Sequence, residues 1–182
     1  MVKRTANDWV GAALGALGTS GVDGVAVEPI ARALRVTKGS FYWHFTSREE
    51  LLAAGLARWE ARTVEMMDAL EDEVKDPRAR LKTFLARRGA EDFDAVHARL
   101  SGQGDNPTVA AALERLDRNQ LDRLARWYRE LRLTPADARS RALLLHASHL
   151  GMLRLVHASP GLVPIGAAWK KFIRLAEAAL IP

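Results

Sequence analysis

Between Val36 and Leu52 the sequence VTKGSFYWHFTSREELL gathers a cation, several hydrogen-bond donors and two polar-tipped aromatic rings into one short run. Lys38, Ser40, Tyr42, Trp43 and His44 are the kinds of group that hold a phosphate backbone and reach base edges behind it. Taken as a helix opened by Thr37 as N-cap, the run puts Phe41 and Phe45 on one face, four residues apart, where they can anchor a core. At about 100° per residue, Gly39 and Trp43 fall on the opposite face, and Lys38, Ser40, Tyr42 and His44 fill the flanks. An aromatic cluster is most often core. Only Phe41 and Phe45 fit the buried phase, however, so Tyr42, Trp43 and His44 cannot all be buried with them.

The elements around this run are those that would position it. VEPIARALRV, residues 27–36, carries Ile30, Ala31 and Leu34 at helical spacing, with Pro29 in the first turn, where a missing N–H costs no hydrogen bond. The small Ala31 lets a second helix cross closely, and Val36 and Phe41 complete a small core. Ser47-Arg48-Glu49-Glu50 reads as a capping box opening the next helix. Upstream, Trp9, Val10, Ala13, Leu14 and Leu17 sit at helical spacing before the glycines at 18–24 break the helix.

In register, these segments resemble the DNA-binding signature of the TetR family of one-component regulators. Its G-[S/T]-x-Y-x-H-F run falls on Gly39, Ser40, Tyr42, His44 and Phe45, and its S-[K/R]-E-x-L-L run on Ser47, Arg48, Glu49, Leu51 and Leu52. Two positions depart from the pattern. The turn residue that is usually Gly is Arg35, and an L-residue held in the left-handed region costs on the order of 1 kcal/mol. Where the family often opens the first of these helices with a phosphate-binding Thr, this chain has Ala26 and Val27, so that contact is either missing or replaced by backbone N–H groups.

The resemblance implies an all-α, nine-helix fold with a helix-turn-helix head over residues 1–46 and a helical effector-binding and dimerisation body over 47–182. It implies double-stranded operator DNA as partner, with Lys38, Gly39 and Trp43 towards the major groove and Tyr42 sharing base and phosphate contacts. Ser40, His44 and Arg48 would lie along the backbone, Lys3 and Arg4 on adjacent phosphates, and Thr37 is a further DNA-binding candidate. Glu28 is out of place on such a surface; it either accepts from a cytosine amino group or lowers affinity.

Charge agrees with this placement. The chain carries 27 basic and 22 acidic residues, but residues 1–48 hold six of the former against three of the latter, so the head has most of the excess. The absence of cysteine excludes disulfides, thiolate catalysis and cysteine-ligated zinc. Lys3-Arg4 ahead of the apolar Trp9–Gly18 run imitates a secretory signal, but Asn7 and Asp8 intervene. The apolar run from Ala142 to Val156 is interrupted by His146, His149 and Arg154 and is too short to span a bilayer. A cytoplasmic protein with no membrane partner is expected.

Capping side chains precede proline at Asp76-Pro77, Asn106-Pro107 and Thr134-Pro135, each marking a helix start. Helices are therefore predicted over 4–17, 27–34, 37–44, 47–74, 77–90, 93–101, 107–131, 135–158 and 164–180. Leu143 to Val156 is apolar or small almost throughout, which predicts burial nearly all round. The final helix offers Ile165, Ala168, Trp169, Phe172, Ile173, Ala176 and Leu180 as a stripe. By resemblance these two helices pair with their copies as a four-helix bundle through Leu150, Leu153, Ile165, Trp169, Phe172, Ile173 and Ala176, although a single-chain core would absorb the same stripe.

Candidates for a small-molecule effector site are Trp59, Met66, Phe84, His97, Trp127, His146, His149 and Met152. The family expectation is an apolar or amphiphilic molecule between helices. His146 and His149, at i and i+3, suit a shared ligand, but such histidines are more often satisfied within a core. No third ligand stands at metal spacing, so neither metal nor cofactor is expected. The rival reading is a helical enzyme or carrier using His97, His146 and His149. It lacks a nucleophile–base pair and a phosphate loop.

Overall fold

The computed structural model describes residues 4–86 and 92–182. Lys3, expected on a phosphate, lies outside them, as do residues 87–90 of the predicted fifth helix. Eight α-helices are described: α1 Ala6–Ser20, α2 Val27–Leu34, α3 Arg48–Glu73, α4 Pro77–Ala86, α5 Asp92–Leu100, α6 Pro107–Glu130, α7 Pro135–Ala158 and α8 Gly166–Leu180. Short 3-10 segments occur at Gly21–Gly24, Lys38–Trp43 and Pro160–Leu162. Each of the nine predicted helices has a counterpart, with Lys38–Trp43 standing for 37–44, and no strand occurs among the described residues.

The helix starts follow from local chemistry. Asp76 Oδ2 accepts from Ala79 N at 2.8 Å, Asn106 Oδ1 from Thr108 N at 3.0 Å, and Thr134 Oγ1 from Asp137 N at 3.2 Å, each satisfying a first-turn N–H group. At α1 a box was missed in the sequence. Thr5 Oγ1 accepts from Asp8 N and Thr5 N donates to Asp8 Oδ2, which moves the start from residue 4 to Ala6. Those bonds from Thr5 hold the Asp8 carboxyl below its ordinary value.

The chain divides into two compact units, Met1–Val64 with Glu91–Leu113, and Glu65–Ala90 with Glu114–Pro182. This differs from the expected boundary after residue 46. The reason lies within the first unit, where α5 packs on α1 and Gln103 Oε1 accepts from Val22 N at 3.0 Å, so residues far along the chain belong with the head.

In the first unit, Trp9, Ala13, Leu14 and Leu17 form the buried face of α1. Trp9 meets Phe41 edge-on at 5.4 Å between ring centroids, and Phe41 stacks on Phe45 at 5.6 Å, so the two phenylalanines anchor the motif as their spacing implied. Gly55 of α3 faces α1: a Cβ there would sit 3.4 Å from both Ala13 and Leu17 side-chain atoms, in van der Waals contact. Between α2 and the next segment, Arg35 adopts φ 58°, ψ 44°, the left-handed turn its position required. Arg35→Gly is therefore expected to stabilise the protein by about 1 kcal/mol, since Gly bears no Cβ penalty there. A denaturant midpoint that did not rise, at unchanged slope, would exclude strain at this turn.

The second unit is built on Met67, Leu70, Leu81, Phe84, Leu124, Trp127, Tyr128 and Leu145. Its aromatic polar tips are satisfied. The Trp127 indole N–H donates to Glu71 Oε1 at 3.0 Å, and Tyr128 Oη donates to the Leu180 carbonyl at 2.9 Å. Burial pushes the Tyr128 hydroxyl up to about 12. Arg80 is ion-paired with Glu130 and lies over the Trp127 ring.

One expectation fails for α7. Only Ala138, Ala142, Leu145, His146, His149 and Leu153 are buried, while Leu143 and Leu144 are 56% and 58% exposed. The helix packs one face on its own chain and leaves an apolar face outward, because apolar composition alone does not fix which side finds a neighbour. Leu153, expected at a subunit interface, points inward. No described helix is long and apolar enough to cross a membrane.

Candidate nucleic-acid interface

The segment after the Arg35 turn forms a 3-10 helix, Lys38–Trp43, in place of the α-helix expected over 37–44. Thr37 makes no side-chain cap; its carbonyl instead accepts from Ser40 N at 3.0 Å, closing a three-residue turn. His44 N and Phe45 N both donate to the Phe41 carbonyl, which ends the segment over the buried ring. Tyr42 and Trp43 are left outward at 60% and 87% exposure, and Lys38 and Gly39 are exposed beside them. A Cβ added at Gly39 would meet only Thr37 Oγ1, at 3.8 Å. Ser40 is half-buried.

The next turn is a variant of the expected capping box. Ser47 Oγ accepts from Glu50 N at 3.1 Å, but the Glu50 carboxylate reaches past Ser47 to the backbone N–H and hydroxyl of Thr46. Those two bonds keep the Glu50 carboxyl below its ordinary value.

Three residues expected on the DNA backbone are fixed to the protein's own main chain. Arg48 Nε donates to the Val25 carbonyl at 2.6 Å and its Nη2 to the Val22 carbonyl at 2.7 Å. Arg4 Nε donates to the Leu34 carbonyl at 3.1 Å, at the C-terminal end of α2, with Asp8 3.7 Å from its guanidinium. His44 Nε2 lies 3.0 Å from the Arg4 carbonyl, so the ring donates there and is half-buried. These contacts brace the segment before α1, the loop before α2 and the start of α3. Buried carbonyls in irregular backbone need such donors, and a guanidinium supplies two at once.

Glu28 has a defined partner. Lys38 Nζ donates to Glu28 Oε1 at 2.9 Å. That hydrogen bond lowers the Glu28 carboxyl and raises the Lys38 ammonium, so both stay charged. The pair borders a groove of about 360 Å³ lined also by Pro29, Tyr42, Thr46 and Arg48.

The effector candidates do not converge on one place. Trp59 and His97 belong to the first unit, their rings edge-to-face at 5.6 Å. In the second unit, Met66 is half-buried on α3, and Phe84 lies 4.7 Å from the His149 ring and 6.4 Å from Trp127. His146 Nε2 is 3.0 Å from Asp117 Oδ1. The histidines of the enzyme reading thus face Trp59, Asp117 and Phe84 respectively. Among the described residues no three His, Cys, Asp or Glu are grouped to hold a metal ion.

One cavity does bring effector and interface candidates together. His149 and Met152 of α7 share a space of about 250 Å³ with Leu85 of α4 and with Trp169, Phe172, Leu175 and Ala176 of α8. Trp169 and Phe172 stack at 5.5 Å, and Ile173 and Ala176 pack on the core. Leu150 is half-buried, and Ile165 is 76% exposed. Sequence reasoning missed Leu143, Leu144 and Leu175, all more than half exposed. The signal available was an excess of leucine beyond the one face a single chain can bury.

Residues 10–54 match the family described as bacterial regulatory proteins, tetR family. Over 122 residues the chain is 30% identical to the uncharacterized HTH-type transcriptional regulator TtgW of Pseudomonas putida, covering 57% of this chain and 88% of that protein. It is also 30% identical over 115 residues to the HTH-type transcriptional regulator SrpR of Pseudomonas putida, a match that takes in 53% of this chain and 52% of SrpR. Among solved structures, a transcriptional regulator from Rhodococcus sp. Rha1 superposes with a TM-score of 0.79 at 18% identity, over 98% of this chain and 96% of that one. A TetR-family regulator from Agrobacterium tumefaciens gives 0.78 at 18% identity, over 96% of each chain.

Proposed function

As the chain belongs to the tetR family of bacterial regulatory proteins and is a DNA-binding transcriptional regulator, we propose that it acts as a homodimeric repressor, held on a palindromic operator until a small apolar molecule releases it. The observation that carries this reading is the braced segment with Tyr42 and Trp43 turned outward beside Gly39. Rigid aromatic and donor side chains on a fixed backbone suit base-edge and phosphate contact, and Gly39 lets a DNA strand approach the main chain closely.

A head this small reads few base pairs, so two copies related by a two-fold axis would match two half-sites. The outward leucines of α7 and α8 support those helices as the surface through which the copies pair. The cavity lined by His149, Met152, Trp169 and Phe172 supports an effector seat beside that surface. A molecule seated there releases DNA only if it binds more tightly to a head spacing the operator does not fit.

Selection from a randomised duplex library, followed by gel shift, tests the DNA reading, and Gly39→Ala sharpens it. Nothing in the free protein resists a methyl at Gly39, so thermal stability should hold or rise slightly. On DNA the same methyl stands between backbone and strand, and affinity should fall about tenfold, or about 1.4 kcal/mol. Unchanged affinity in that variant would remove Gly39 from the interface, and failure of the wild type to select any sequence would overturn the reading.

A further inference from the structure

A carboxylate on a surface meant for a polyanion needs a reason. Glu28, in the first turn of α2, and Lys38, at the start of the recognition segment, face each other across one groove, with Nζ 2.9 Å from Oε1. Their side chains are 66% and 54% exposed, and exposed ion pairs add little to folding stability. Stability therefore does not account for the pair. Among the described residues Glu28 Oε2 accepts no hydrogen bond, and Lys38 donates to Glu28 alone.

An ammonium beside a carboxylate is a donor beside an acceptor, separated by one hydrogen-bond length. The major-groove edge of a base pair carries the complementary couple. Guanine O6 lies beside the cytosine N4 amino group, and thymine O4 beside the adenine N6 amino group, each about 2.9 Å apart because a base-pairing hydrogen bond joins them. Against such an edge Lys38 donates to the keto oxygen while Glu28 accepts from the amino group, and the bond between the two side chains survives. Turning the base pair end for end sets donor against donor and acceptor against acceptor. Guanine is favoured over thymine under Lys38, because guanine adds N7 as a second acceptor where thymine presents its methyl group.

Resting on the DNA-binding reading above, we propose that Glu28 and Lys38 together read a single G·C base pair in each half-site, Lys38 on guanine and Glu28 on cytosine. The carboxylate is then a strand selector, distinguishing G·C from C·G where Lys38 alone would follow guanine to either strand.

The test is selection from a randomised duplex library with the full chain, followed by titration of duplexes differing only at the position concerned. Wild-type protein should prefer G·C to C·G there by about tenfold or more. Glu28→Met, close in size and without an oxygen to accept from the cytosine amino group, should lose that strand preference while keeping its helix content. The double substitution Glu28→Lys with Lys38→Glu should reverse the order and select C·G. A Glu28→Met protein that retains the wild-type preference overturns the proposal, whatever the double variant does. Lys38 would then hold a phosphate, and Lys38→Ala would lower the salt slope by about one per half-site at unchanged sequence preference. A wild-type protein that selects no sequence sinks the DNA-binding reading itself, and that result is seen before any substitution is made.

Discussion

Leu175→Glu should leave the chain folded and turn the proposed dimer into a monomer. Leu175 is 70% exposed on α8, and Leu144 of α7 is 58% exposed, so a carboxylate at either site meets water in the single chain and disturbs little of its core. In a two-fold interface it is buried twice and without a cation, at a cost of several kcal/mol per copy. Operator affinity should fall with it by about 10²–10⁴, because the second half-site is no longer presented at high effective concentration. Phe172 is a poorer place for the charge, since its ring stacks on Trp169, and a substitution there would confuse assembly with packing. Light scattering at micromolar protein decides the matter. A Leu175→Glu protein that remains a dimer moves the interface off this face.

The second large effect is expected at Arg48, on stability more than on DNA. Its guanidinium donates to two carbonyls, those of Val22 and Val25, whose residues are 8% and 0% exposed. Removing the donor leaves the Val25 oxygen without this partner and the Val22 oxygen with the Val25 N–H alone, at 3.0 Å. At about 1.5–3 kcal/mol for a hydrogen bond to a charged group, and with the side chain about one-third exposed, Arg48→Ala should cost about 2–3 kcal/mol. Arg48→Lys should recover little, because an ammonium cannot reproduce the planar fork. The salt dependence of DNA binding should barely change. An unaltered denaturation midpoint together with a salt slope lower by about two per dimer would return Arg48 to the phosphate backbone.

The partners of Arg48 show where the sequence was legible and where it was not. Helix starts at Pro77, Pro107 and Pro135 were readable because the capping side chain lies one residue away and the chemistry is local. The inward rings of Phe41 and Phe45 were readable from spacing, and Arg35 from its place in the turn. Lys38–Trp43 was not, since over six residues a period of three cannot be told from one of 3.6. The partners that Arg4, His44 and Arg48 have within the chain were illegible for a different reason: they are main-chain oxygens, which leave no mark in the sequence. Glu28 and Lys38 sit ten residues apart on separate elements, and only folding brings their charges together. The outward face of α7 was hidden because composition counts apolar residues without saying which neighbour covers them.

Bracing by main-chain oxygens has a consequence for how such a head can diversify. A joint made of two side chains is broken when either one mutates. Joints made by Arg4, His44 and Arg48 depend on a single identity each, since every residue at positions 4, 22, 25 and 34 presents a carbonyl. The outward positions, Gly39, Tyr42 and Trp43, contribute no side chain to any of these joints. New target sequences are thus reachable by exchange at the exposed positions while the scaffold beneath them stays intact, so that retargeting and folding vary as nearly independent traits.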